Sequence, residues 1–191
     1  MVRVGVVDYT VGNIGSVLVA LRRAGAEPVV VKKADDAREV DALLLPGVGT
    51  FGVAQALVHK FREAVLEKPT LAICLGMQLL FETSEEGGGP GLGIFRGKVE
   101  RIAAKKVPNI GWRYTYAKPH PVVKEGYYYF LHSYGVRWDE KDEAHIAYIE
   151  LGVRYVAAVE KRHILGVQFH PERSGRQGLE LIRSFLAQVR R

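Results

Sequence analysis

Apolar and polar positions along the chain fall into two rhythms. Residues 3–7, 27–31, 42–45 and 70–73 are short runs dominated by Val, Leu, Ile and Ala, the pattern of strands buried on both faces. Between the first two runs Ile14, Val17, Leu18 and Leu21 recur at helical spacing, and Gly25 follows as a C-terminal cap, which predicts a helix over 14–24. Asp35 and Asp36 open a short helical turn, residues 53–66 read as a second helix, and Met77 begins a third. Strands alternating with helices in this way predict a parallel sheet covered on both faces.

The rhythm changes after Glu82. Gly87-Gly88-Gly89-Pro90-Gly91 cannot continue a helix and marks a surface loop. From Phe95 onward alternation dominates, at 98–102, 127–131, 144–149 and 155–159, and a turn around Lys161-Arg162 leads into a strand at 164–169. Residues 174–190 close the chain with an amphipathic helix carrying Leu179, Ile182, Leu186 and Val189 on one side. With no repeat and no linker, the fold class is α/β: one domain, 1–191, whose second half adds antiparallel strands to a central, mainly parallel sheet with flanking helices.

Composition removes several function classes. The net charge of +6 is scattered among acidic residues, with no Lys/Arg block and no nucleic-acid motif, so no nucleic acid is expected as a partner. No apolar run reaches the length of a membrane span, and the N-terminal segment reads as a strand rather than a signal peptide; a soluble, cytoplasmic protein with no membrane contact is expected. The single cysteine excludes an internal disulfide and fits a reducing compartment. No cluster has metal-ligand spacing, and neither a metal nor a cofactor is expected.

That cysteine, Cys74, stands where the strand at 70–73 turns into the helix beginning near Met77. A strand–turn–helix with the small residues Ala72 and Gly76 around the reactive residue is the geometry of a nucleophile elbow, and the following helix would favour thiolate through its dipole. The plainer alternative is a small buried hydrophobe. In parallel sheets, sites collect beyond the C-terminal ends of the strands, where two further loops carry chemistry. His170-Pro171-Glu172 follows the last strand; if it is extended, His170 and Glu172 point the same way, and Glu172 can orient the imidazole towards the Cys74 sulfur. A turn histidine and a solvated, helix-capping glutamate are the plainer alternatives. Of the other histidines, His132 is the nearest rival, ending a strand in His132-Ser133-Tyr134-Gly135. Pro46-Gly47-Val48-Gly49 lets backbone approach a ligand: the N–H of Val48 or Gly49, with that of Leu75, could bind an oxyanion, and losing one such donor typically costs roughly 2.7–4 kcal/mol.

Cys74-Leu75-Gly76-Met77-Gln78 together with Phe169-His170-Pro171-Glu172 resembles the class I, or triad, glutamine amidotransferases over the whole chain. Asp8-Tyr9 with Gly12-Asn13-Ile14, Pro46-Gly47-Val48-Gly49 and Asn109-Ile110-Gly111-Trp112 resemble one subfamily, the glutaminase subunits of imidazole glycerol phosphate synthases. The resemblance implies a three-layer fold. It also implies that Cys74 attacks the side-chain amide of glutamine, His170 moves the protons, Glu172 orients it, and water hydrolyses the thioester. It implies glutamine contacts at Gly49 and Gln78 and along the Ser133-Tyr134-Gly135 backbone. The implied partner is a cyclase subunit, a (β/α)8 barrel, met through surfaces including Asn13, Trp112 and Arg173 and forming a heterodimer. Ala72 and Arg113 depart from the family's usual Gly and Asn. A glutaminase serving another synthase, such as the pyridoxal phosphate one, and a non-catalytic binding subunit of the same fold are the competing readings.

Overall fold

The computed structural model describes residues 1–9, 14–117, 120–137 and 144–190. In the first half the elements are β1 (Val2–Val7), α1 (Gly15–Ala24), β2 (Ala26–Val31), β3 (Ala42–Leu45), α2 (Phe51–Val58), α3 (Arg62–Glu67), β4 (Thr70–Ile73) and α4 (Leu75–Gln78). The second half contains β5 (Thr83–Ser84), β6 (Lys98–Arg101), β7 (Asn109–Thr115), β8 (Gly126–His132), β9 (Tyr134–Val136), β10 (His145–Glu150), β11 (Arg154–Lys161), β12 (Ile164–Val167) and α5 (Gly175–Val189).

A seven-stranded sheet in the order β10-β11-β12-β4-β3-β1-β2 forms the middle layer. Strands β2, β1, β3, β4 and β12 pair in parallel, and β11 and β10 continue the sheet antiparallel. Period-two side chains feed two separate cores. Val4, Val6, Leu44, Leu71, Ile73 and Leu165 pack with Val17 and Leu21 of α1 and with Leu181, Ile182 and Phe185 of α5 on one face. On the other, Leu43, Leu45, Ala72 and Ile164 pack with Phe51 and Val58 of α2, with Phe61 and Val65, and with Met77 of α4. Register decides where the chemistry sits: Leu45 lies beside Ala72 and Ile73 beside Val167. The loops leaving β3, β4 and β12 therefore emerge side by side at one edge of the sheet.

Several expectations shift. Residues 53–66 are two helices, with a 3₁₀ turn at His59–Phe61 between them; three residues per turn keeps Val58 and Phe61 on the buried side as the chain bends. The helix expected from Met77 is one turn, Leu75–Gln78. Its continuation is stopped by the returning segment, whose Leu92 and Ile94 amides donate to the Leu79 and Leu80 carbonyls at 2.8 and 2.9 Å, taking acceptors a longer helix would use. The buried stripe of α5 is Leu181, Ile182, Phe185 and Leu186, with Leu179 half-buried rather than in the core. Two of the expected antiparallel strands leave the central sheet: β6 joins β5 and β9, and β8 pairs with β7 as a ribbon. Among the described residues, no helix is long and apolar enough to cross a membrane.

Candidate active site

Cys74 is the N-cap of α4 with φ 52° and ψ −107°, a conformation that L residues rarely adopt and that costs on the order of 1–3 kcal/mol. Close packing enforces it. A Cβ on Gly76 would lie 2.2 Å from the Leu45 carbonyl oxygen, and one on Gly47 would lie 2.7 Å from the Cys74 Cβ and 3.3 Å from Cε1 of His170. Ala72, small like the Gly expected there, is fully buried between β3 and β12 without disturbing their register.

His170 approaches the elbow from the end of β12. Its Nδ1 lies 2.8 Å from Oε1 of Glu172, and the two side chains are 9% and 6% exposed. A carboxylate only accepts, so Nδ1 carries the hydrogen and Nε2 is left for the sulfur. Burial is the largest single influence on His170 and opposes its charge. Hydrogen bonds to Cys74 and Glu172, with their negative charge, together outweigh it and raise the imidazole to about 10. The alignment of His170 and Glu172 arises differently from the expectation. His170 is extended, but Pro171–Arg173 is a 3₁₀ turn that curls Glu172 back under the ring. Because α4 is a single turn, its dipole is a small contribution at the sulfur; the protonated imidazole is the nearby positive group.

The thiol borders a cavity of about 330 Å³ that Gly47, Gly49, Leu75, Gln78, Ser133 and Tyr134 also line. Leu75 opens α4, so its N–H has no acceptor within the helix; Gly49 takes the left-handed φ of +93°. The Val48 side chain packs into the core on the α2 side instead of lining the cavity. Gly135 is also absent from the lining: it pairs with Glu100 inside β9, where a Cβ would press on Ile102 and Tyr155 at 3.3 Å. Gln78 is 4% exposed, not on a helix surface, and its amide donates to the Tyr134 carbonyl at 3.0 Å and to Oε1 of Gln168 at 3.1 Å.

Three further residues complete the surroundings. Gln168 donates to the Cys74 sulfur at 3.5 Å, and its position as the one polar residue of an apolar run was the available signal. Ser174 accepts from the Tyr129 amide at 3.0 Å and donates to the His170 carbonyl at 2.7 Å, fixing the turn to β8. Glu86, held by the Phe51 amide at 3.1 Å, adds a carboxylate to the cavity wall, suited to an ammonium group; nothing local in the Gly-rich stretch announces it.

Beside the cavity, the outer face of the β7–β8 ribbon pairs Ile110 with Leu131, Trp112 with Tyr129 and Tyr114 with Tyr127. Ile110, Trp112, Tyr114, Tyr127 and Leu131 are all exposed. Trp112 meets the Tyr129 ring edge-on at 6.1 Å, and the Arg173 guanidinium lies 5.8 Å from the same ring, so two of the expected partner contacts converge. Gly12 and Asn13, the third, lie outside the described residues.

A thiol on a strained turn, an imidazole oriented by a carboxylate and a cavity with backbone donors are the equipment of an acyl-transfer enzyme that works through a thioester. The family model "Glutamine amidotransferase class-I" matches residues 5–189, and the chain belongs to that family. The solved structure of PurLQS from Thermotoga maritima shares the fold, with a TM-score of 0.77 at 21% identity over 98% of this chain and 99% of that one. Imidazole glycerol phosphate synthase subunit HisH of Pyrobaculum aerophilum is 71% identical over 98% of this chain and 99% of its own, and the subunit of the same name in Bacillus subtilis is 41% identical over 95% and 94%. Within the family the chain is a glutaminase of the HisH type, consistent with glutamine hydrolysis supplying ammonia in histidine biosynthesis.

Proposed function

We propose that Cys74, His170 and Glu172 carry out this hydrolysis within a single domain spanning 1–191, and that the ammonia passes directly to a (β/α)8-barrel cyclase seated on the exposed ribbon. The observation that carries the assignment is the strained elbow of Cys74 beside His170, whose Nδ1 is held 2.8 Å from Oε1 of Glu172. The Cys74 sulfur, its proton passed to His170, attacks the side-chain amide carbon of glutamine. The tetrahedral oxyanion accepts hydrogen bonds from the Leu75 N–H and from Val48 or Gly49. His170 gives its proton to the leaving nitrogen, ammonia departs, and a γ-glutamyl thioester remains. A water then loses a proton to His170, attacks the thioester carbon and yields glutamate and the restored thiolate. Gly49, Gln78, Ser133 and Tyr134 line the substrate cavity, and Glu86 suits the α-ammonium of glutamine.

The ribbon face suits a protein partner, because Ile110, Trp112, Tyr114, Tyr127 and Leu131 form a contiguous aromatic and aliphatic surface with Arg173 at its edge. No other synthase is favoured by a specific observation. The lone free thiol suits a cytoplasmic, reducing setting.

The test separates ammonia production from ammonia use. In the complex with the cyclase, Cys74→Ala should abolish cyclisation driven by glutamine while keeping cyclisation driven by added ammonium salt at alkaline pH. An electrophilic glutamine analogue should label Cys74 alone, read by mass spectrometry. Labelling elsewhere, or glutamine-driven cyclisation by the alanine variant, contradicts the assignment.

A further inference from the structure

A second polar chain reaches the glutamine cavity from the ribbon, through residues the reaction itself does not use. Residues 109, 111, 113 and 115 of β7 face inward, opposite the exposed aromatic side. Gly111 adopts φ +117° and carries no side chain, and a Cβ there would lie 3.8 Å from a guanidinium nitrogen of Arg113. The arginine therefore folds back along its own strand. Its Nε donates to Oδ1 of Asn109 at 2.8 Å, and its terminal nitrogens donate to the carbonyls of Trp112 and Ile110 at 3.1 and 3.4 Å.

The chain continues with a fixed polarity. Asn109, 2% exposed, has its Nδ2 3.0 Å from Nε2 of His132, and Nδ1 of His132 is 2.8 Å from the Tyr134 carbonyl oxygen. The carbonyl only accepts, so Nδ1 donates and Nε2 accepts from the asparagine. The imidazole is thus neutral, in agreement with the downward push to about 4, which comes first from burial and then from the charges of His170 and Arg113. The Tyr134 carbonyl also receives Gln78, which reaches Gln168 and through it the sulfur. A buried, directional run of hydrogen bonds is rigid when each member is satisfied and loosens when one donor is lost.

We infer that Arg113, Asn109 and His132 are positioning residues that fix the Ser133–Tyr134 wall of the glutamine cavity and tie its geometry to the ribbon on which the partner sits. This rests on the proposed use of the cavity for glutamine.

The test uses the assembled complex and two replacements at one position. Asn109→Leu removes both links and should raise KM for glutamine about tenfold, equivalent to about 1.4 kcal/mol, with a smaller change in kcat. Asn109→Asp keeps the acceptor for Arg113 and offers Nε2 of His132 a carboxylate, so the ring takes up a proton and both links survive. It should restore KM to within about twofold at acidic pH. A new rise in KM should follow as His132, which also faces Arg113 and His170, loses that proton; the parent complex should show no such limb. Equal KM for both variants at every pH, an unchanged KM in Asn109→Leu, or no pH limb in Asn109→Asp overturns the inference. Should Asn109→Leu fail to fold, the pH profile of Asn109→Asp decides alone. Alkylation of Cys74 by iodoacetamide in the unaltered complex tests the underlying reading separately: hydrolysis surviving it would remove the nucleophile, whatever Asn109 does.

Discussion

At the residue scale, the site depends on absent atoms as much as on present ones. Gly47 leaves the space in which Cys74 and His170 meet, and a methyl group there would sit 2.7 Å from one, 3.3 Å from the other and 2.8 Å from the Ile73 carbonyl. Gly47→Ala must push the sulfur and the imidazole apart. Misplacement near 1 Å costs on the order of 100-fold in rate, and overpacking costs typically about 1–3 kcal/mol. The expected result is a loss of about 100-fold or more in kcat/KM for glutamine with a modest fall in Tm. Steady-state glutaminase assays beside thermal melts check it; near-normal turnover would mean that the loop yields freely.

At the scale of elements, His170 is placed by the joint between β8 and the turn before α5. The His170 amide donates to the Tyr129 carbonyl at 2.8 Å, and Ser174 bridges the Tyr129 amide and the His170 carbonyl. Ser174 is 2% exposed, so water does not readily replace it. Ser174→Ala strands the Tyr129 N–H and should cost about 1–3 kcal/mol. It should also lower kcat more than it raises KM, since on the proposed mechanism it frees His170, the base, and not the substrate wall. Urea melts with glutamine kinetics read both effects, and a stability loss with unchanged kcat would limit the serine to folding.

At the scale of the whole molecule, three buried histidines set how stability varies with pH. His132 is pushed to about 4, by burial first. His120 is pushed to about 4 by burial and by His145, its Nδ1 accepting from the Val122 and Val123 amides. Glu160, 3.6 Å away, is itself raised, by burial first. Below about pH 6.5 the unfolded chain takes up protons these two rings refuse, so their stability is full above that pH and is lost as pH falls towards 4, roughly 3 kcal/mol each. His170, raised to about 10, acts oppositely: its contribution is full below about pH 6.5 and fades as pH climbs through 10. Urea midpoints between pH 4 and 8 should show the acid loss. They should show a shallower one in His120→Asn, which keeps an acceptor for the Val122 and Val123 amides and has no ring to protonate. An identical slope in the variant would exclude His120 as a source.

The parallel strands, the sharp turn at Cys74 and the pairing of His170 with Glu172 were legible in the sequence, because each is written in neighbouring residues: an apolar run, a small residue beside a sharp turn, a proline between two partners. The one-turn length of α4 was not legible, since the amides that stop it belong to Leu92 and Ile94, which return from a loop with no regular pattern. Nor was the burial of Gln78, which needs the Tyr134 carbonyl and Gln168 from distant strands. Glu86 reached the cavity wall only through the amide of Phe51, and Gly135 left it for the packing of Ile102 and Tyr155. Local sequence determined which residues could do chemistry, because conformational preference and periodicity act over a few bonds. Tertiary structure decided which of them face one another, because a buried polar group takes its partner from whatever strand the packing brings within about 3 Å.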